Sequence, residues 1–384
     1  MNFPSSSKKY GHFYQLLYTL IFTLTWLFIS FSSGNADYDS YKLAYDSLSE
    51  YSDIGYSILV SIFHYLGIKY QIFLSFFSLV ALSLLSSTIK KFTDKPIWVF
   101  ALYIIFPFFF DIVQIRNFMA LSIMIFALRY LVEFSWKNFS LYILSIAVAS
   151  TFHTVALVYI LFVICYMEHY KTVANISVWL AVIGSIMVSF LSRLVQNPLI
   201  ASFISSFNPR ILYYISDISL DNNTILLYVL YVLIPCFLSY RLYYKYEKKQ
   251  EQYNTTFTND RFFTMLSKVC ILSLAFIPII IIDPTLFRVF RNVIVCFYLL
   301  FYSNLYFEGR ISGVKIIFYR IAITTYSVLS FVNFLLLDEK MYNSVTHPNL
   351  YNNLFFNSTS GLFTFLILSF VVILALNFYV GDND

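Results

Sequence analysis

The sequence predicts an all-α protein, a polytopic transmembrane helical bundle with about twelve crossings plus short re-entrant or interfacial helices. Three observations predict it. Only 12% of the residues are charged and 59% are hydrophobic, whereas a soluble domain carries about 25% charged residues. Apolar stretches long enough to cross a bilayer recur along the whole chain. Lys and Arg collect in the short loops between alternate stretches, as they do on the cytoplasmic side of membrane proteins. The 43 Phe and 33 Tyr fit lipid-facing walls and headgroup belts.

A spanning helix needs about 20 mostly apolar residues. Stretches of that kind lie at 13–33, 71–89, 96–112, 117–134, 172–194, 223–241, 262–282, 288–307, 315–337 and 361–380. The stretch 139–166 is too long for one crossing and holds two short helices if it breaks near Ser150–His153. The stretch 54–66, closed by Gly67, is too short to cross and reads as re-entrant or interfacial. The run 13–33 is too long for a signal-peptide core and reads as a retained first helix.

Lys8–Lys9, Lys90–Lys91–Lys95, Lys137, the cluster Arg241–Lys245–Lys248–Lys249 and Arg310–Lys315 mark the cytoplasmic side. The alternation works if 139–166 crosses twice and 54–66 does not cross. Both termini are then cytoplasmic. The outer-face segments are 34–70, 195–222 and 338–360, within one integral membrane domain over 1–384.

The net charge of +5 is scattered in short clusters, without the continuous basic face of a nucleic-acid binder. Cys165, Cys236, Cys270 and Cys296 lie in apolar stretches without metal or redox spacing. No GxxxxGK or GxGxxG is present, so no nucleotide site is expected, and the cysteine spacing points to no metal or other cofactor. Chemistry is expected on the outer face.

Four motifs carry candidates. NADYDSY, Asn35 to Tyr41, follows the first helix. Its acids Asp37 and Asp39, with Asp46, Glu50 and Asp53 beyond, oppose only Lys42. Tyr38, Tyr41 and Tyr45 recur at helical spacing, and carboxylates interleaved with Tyr suit sugars. A plain acidic outer loop is the alternative. DIVQIRN, Asp111 to Asn117, sets Arg116 at a helix N-terminus, where guanidinium and dipole together suit a phosphate. Snorkelling to headgroups competes with that reading. STFHT places His153 at the inferred break, able to move a proton near neutrality, or simply packed. DPTLFRVFRN sets Arg288 and Arg291 three apart on one helix face, matching a diphosphate or forming an ion-pair cluster with Asp283.

Taken in order, N-A-D-Y-x-x-Y, Q-I-R at a helix start, A-x-x-F-H-x-x-A and a paired Arg behind a helix break resemble the EpsG-like family of polysaccharide polymerases, Wzy-type enzymes of O-antigen, capsule and exopolysaccharide assembly. The resemblance covers roughly 34–300. Asn35 stands where many members carry Gly, with Gly34 one step earlier. The resemblance implies a membrane glycosyltransferase in the cytoplasmic (inner) membrane of a bacterium. Its substrate would be an oligosaccharide repeat unit on undecaprenyl diphosphate. Its partners would be membrane lipid, a chain-length regulator and a flippase.

On that reading Arg116, Arg288 and Arg291 bind the diphosphate and stabilise it as it leaves. His153, with Asp37 second, takes the proton of the attacking sugar hydroxyl, and Tyr38 and Tyr41 hold sugar. Three rivals remain open, and one of them, a membrane O-acetyltransferase, needs acyl-donor access from the cytoplasm and a matching His or Arg on that face, where none stands out. A lipid-linked oligosaccharide flippase is expected to line a central cavity with charge in both halves. An O-antigen ligase shares the donor and differs in the acceptor.

Overall fold

The computed structural model describes residues 12–48, 53–194, 202, 222–253, 260–303 and 313–353. Helices and turns make up these segments, and no strand occurs among the described residues. The first half carries α1 (His12–Ser30), α2 (Tyr38–Ser47), α3 (Ile54–Tyr65), α4 (Tyr70–Phe92), α5 (Pro96–Ile105), α6 (Phe108–Val113), α7 (Ile115–Ala127) and α8 (Trp136–Phe152). After a 3₁₀ helix, Thr154–Tyr166, come α9 (Tyr170–Leu194) and the longer helices Asn222–Tyr253, Asp260–Leu272 and Gly313–Phe331, with shorter pieces between them. Seven described segments are long and apolar enough to cross a membrane. The expected span 361–380, most of the loop 195–222, Lys8–Lys9 and Arg310 lie outside the described residues.

Hydrogen bonds sort the bundle into two chemically different ends. α4 starts beside α2, where Tyr38 donates to Gln71 at 2.8 Å, and finishes with Lys90 over the Tyr18 ring at 4.3 Å. α7 carries Arg116 in its first turn and leads to Arg129, whose guanidinium donates to Ser87 and Thr88 near the end of α4. At that same basic end Arg261 pairs with Glu133 at 2.9 Å, and Lys171 with Glu247 at 3.7 Å. The opposite end carries the breaks at Pro107, Gln114, His153 and Asp283. Between the ends, α9 exposes Trp179, Ile183, Ile186, Met187 and Phe190, a wall fit for lipid tails.

The stretch 139–166 breaks at His153, as its length requires. Its two arms pack against each other, and Tyr142 donates to the carbonyl of Tyr159 at 2.6 Å. The second arm has only 13 residues, against 17 in α8. A 3₁₀ helix rises about 2.0 Å per residue against about 1.5 Å in an α-helix, so both arms reach about 26 Å. The 3₁₀ winding thus gives a short segment the length of its partner.

α3 buries Tyr56 and Val60 while Ile54, Ile58, Ile62 and Tyr65 stay exposed at helical spacing. One face packs against the bundle and the other, also apolar, is exposed. Gly55 makes its approach to α8 possible: a Cβ there would stand 2.2 Å from Thr151 Oγ1 and 3.1 Å from its backbone oxygen.

Candidate functional site

The candidate residues gather where the helices break. Gln114 separates α6 from α7, and Arg116 lies in the first turn of α7. Its guanidinium forms an ion pair with Asp53, the residue before α3, and donates through Nε to the Tyr41 hydroxyl at 3.3 Å. The rings of Tyr41 and Tyr56 lie 5.1 and 5.8 Å from it. Tyr41 in turn donates to Asp37 at 3.4 Å. Asp37, Tyr41, Arg116 and Asp53 therefore form one chain of contacts.

Arg288 and His153 join this group through space. Both Arg116 and Arg288 act electrostatically on Asp37, and both act on His153. Burial holds the Asp37 carboxyl above the usual aspartate range, against the pull of Tyr41, Arg116 and Arg288. Among the described residues Arg288 makes one hydrogen bond, Nε to the Thr285 carbonyl at 3.0 Å, and no ion pair. Asp283 is engaged locally with the backbone and hydroxyl of Thr285, at 2.8 and 2.7 Å. The ion-pair cluster of Asp283 with the two arginines is not formed, and the Arg288 guanidinium keeps its capacity for an anion.

His153 closes α8 and opens the 3₁₀ arm. Its Nδ1 accepts from the Val155 amide at 3.3 Å. An acceptor nitrogen carries no proton, so the ring hydrogen sits on Nε2. The side chain is half-buried and presents a donor to its surroundings.

Arg291 sits behind this front rank. It is 5% exposed, donates to Gln114 Oε1 at 2.6 Å and rests on the Phe110 ring at 4.1 Å. Beside it, Asn117 and Asn292 exchange two side-chain hydrogen bonds at 3.1 and 3.0 Å. Tyr159 donates to the Val289 carbonyl at 2.9 Å. These contacts fasten the Q-I-R-N motif to the F-R-N motif, so the arginines of the two halves cannot drift independently. Tyr38 faces away from Arg116: it packs edge-on to Tyr70 at 5.5 Å, and its hydroxyl is bonded to Gln71.

The sequence-derived candidates Asp37, Tyr41, Arg116, His153 and Arg288 therefore converge, while Arg291 is buried behind them and Tyr38 points into packing. Sequence reasoning grouped Asp53 with the acids that suit sugars rather than with Arg116, and gave no role to Gln114, Asn117 and Asn292. The two asparagines carry a usable signal, because an amide in an apolar run needs a partner there.

Among the described residues no group of His, Cys, Asp or Glu forms a metal cluster. An apolar groove of about 610 Å³, lined by residues including Val178, Leu233, Phe237 and Leu274, contains none of the candidate residues.

Fold and site together define a multi-pass helical membrane protein whose polar centre is assembled from helix breaks in both halves of the chain. The chain belongs to the EpsG family, whose model matches residues 15–346, the family of Wzy-like polysaccharide polymerases. No curated protein and no solved structure matches it.

Proposed function

We propose that this protein polymerises oligosaccharide repeat units carried on undecaprenyl diphosphate, at the outer face of a bacterial cytoplasmic membrane. The observation that carries the reading is the Arg288 guanidinium, without an ion pair among the described residues, sharing its field with Arg116, Asp37 and His153. A leaving diphosphate needs a cation that is not already neutralised. Arg288 supplies it, Arg116 stands beside it with part of its charge held by Asp53, and Arg291 adds its field from behind.

In the reaction, the hydroxyl oxygen of an incoming repeat unit attacks the anomeric carbon of the growing chain. The new C–O bond forms as the bond to the diphosphate breaks, and the lipid diphosphate leaves with the bonding electron pair. The hydroxyl proton passes to a base. Asp37 fits that role best, because burial makes its carboxylate more basic. His153, with Nδ1 occupied by its cap, donates from Nε2 to a sugar or phosphate oxygen. Tyr41, between Asp37 and Arg116, holds both in register.

The basic residues support an orientation with the site outside and Lys90, Lys171 and Arg261 inside. On that orientation four shorter passages, 96–113, 115–130, α8 and its 3₁₀ partner, join the two ends. With the seven long segments they make eleven passages, and the twelfth expected crossing, 361–380, lies outside the described residues.

Deletion of the gene, with gel analysis of surface glycan, tests the reading. A polymerase defect removes the ladder and leaves single repeat units attached. Loss of all attached glycan contradicts it and points to a ligase or a flippase.

A further inference from the structure

The segment after the helix Gly313–Phe331 contains two π-helical turns, Val332–Leu337 and Tyr342–Thr346, separated by Asp338 and a short helix. Such turns are rare and collect at functional sites. The second has a visible consequence. On an α-helix, residues five apart point about 140° away from each other. In a π turn, bonded from i to i+5, they return to one face. Tyr342 and His347 therefore meet, with ring centroids 6.0 Å apart. His347 and Tyr351, four apart, then stack at 4.6 Å with an interplanar angle of 26°. The result is a row of three rings with His347 exposed and both tyrosines half-buried. Asn343 and Asn352, the chain neighbours of Tyr342 and Tyr351, are also exposed.

This segment is fastened to the turn that carries Asp37. Ala36 donates its amide to the Ser344 carbonyl at 3.1 Å, and Asn35 donates to the buried Asn349 at 3.2 Å. Ser33 donates to the Asn352 carbonyl. Gly34 completes the joint. Its φ is +64°, and a Cβ there would lie 2.9 Å from Asn352 Nδ2.

Resting on the polymerase reading above, we infer that Tyr342, His347 and Tyr351, with the amides of Asn343 and Asn352, form a carbohydrate-binding platform beside the reaction centre. A sugar ring offers a flat C–H face to stack on aromatic rings and an equatorial rim of hydroxyls for amides. Exposed His347 offers ring surface, and the amides stand next to the two tyrosines in the chain. Two sources share this chemistry: the incoming repeat unit and the growing chain. Their lengths tell them apart.

The test uses the purified full-length protein and lipid-free oligosaccharides of one and of three repeat units, cut from the surface glycan of the producing strain. Binding is read by saturation-transfer NMR. The wild-type protein binds, and the Tyr342→Ala/Tyr351→Ala variant binds roughly tenfold more weakly, a factor that corresponds to about 1.4 kcal/mol. Tyr342→Phe/Tyr351→Phe keeps the rings and keeps the binding. His347→Ala, at an exposed position that leaves the packing intact, weakens binding severalfold. Tighter binding of three units assigns the platform to the growing chain, and equal binding of one and three assigns it to the incoming unit. Absence of binding by the wild type, or equal binding by the alanine variants, overturns the platform. Arg116→Lys separates the two readings: it abolishes the surface ladder if the polymerase reading holds, and leaves soluble-glycan binding unchanged if the platform does.

Discussion

Asp53 and Arg116 should be energetically coupled, because the ion pair between them is largely withdrawn from water. The Asp53 side chain is 6% exposed and that of Arg116 21%. Exposed pairs contribute about 0–1 kcal/mol, and breaking a fully buried pair costs about 3–5 kcal/mol. With one partner buried and the other one-fifth exposed, a coupling near 2 kcal/mol is expected. A double-mutant cycle of Asp53→Asn, Arg116→Gln and both together isolates it. The four cysteines are all buried and free, so a thiol-reactive dye reports thermal unfolding of the detergent-solubilised protein directly. At about 2.1 cal/mol/K per residue the chain has an unfolding entropy of about 0.8 kcal/mol/K, and 2 kcal/mol corresponds to about 2.5 °C. Membrane helices lose less order than soluble ones on unfolding, which makes this a lower bound. Each single variant should melt lower by at least that much, and the double variant by less than the sum. Strict additivity, with coupling under about 0.5 kcal/mol, would refute the pairing.

Other consequences are equally open to measurement. Arg288→Gln should cut polymer formation about 100-fold with the melting transition little changed, since this cation serves the leaving group and its one internal bond is the local one to the Thr285 carbonyl. Because burial raises the Asp37 carboxyl, activity should fall on acidification from a pH above the usual aspartate value of about 3.9. An acid limb at an unshifted position would speak against Asp37 as the base. The same shift makes ionised Asp37 cost stability, so Asp37→Asn should melt at or above the wild type near neutral pH. Asn117→Ala leaves the Asn292 amide buried without its partner and should cost about 1–3 kcal/mol, read by the same dye. Gly34→Ala, at positive φ against Asn352, should destabilise the joint between the Asp37 turn and the aromatic row and shorten the surface ladder.

What the sequence revealed follows from which signals are local. The break at His153 was legible because 139–166 exceeds one crossing, and the helix α3 was legible as an apolar run closed by Gly67. Arg116 and Arg288 stood out because guanidinium groups at helix junctions in apolar surroundings are costly. The partner of Arg116 was not legible: Asp53 lies 63 residues away, across a turn whose direction no local pattern fixes. Tyr38 and Tyr41 share a helical face, yet one hydroxyl reaches Gln71 and the other Arg116, a difference set by neighbours rather than spacing. The 3₁₀ winding of 154–166 and the π turns near 342 arise from tertiary packing, and the hydropathy of either stretch reads the same in any helix.

Reconstitution tests the central claim most directly. Purified full-length protein in liposomes receives a lipid-diphosphate-linked repeat unit. The account predicts chains of several units, one free lipid diphosphate released for each new glycosidic bond, and both products cut about 100-fold with Arg288→Gln. Movement of the intact unit across the bilayer without bond formation, or chain growth unaffected by Arg288→Gln, would contradict it.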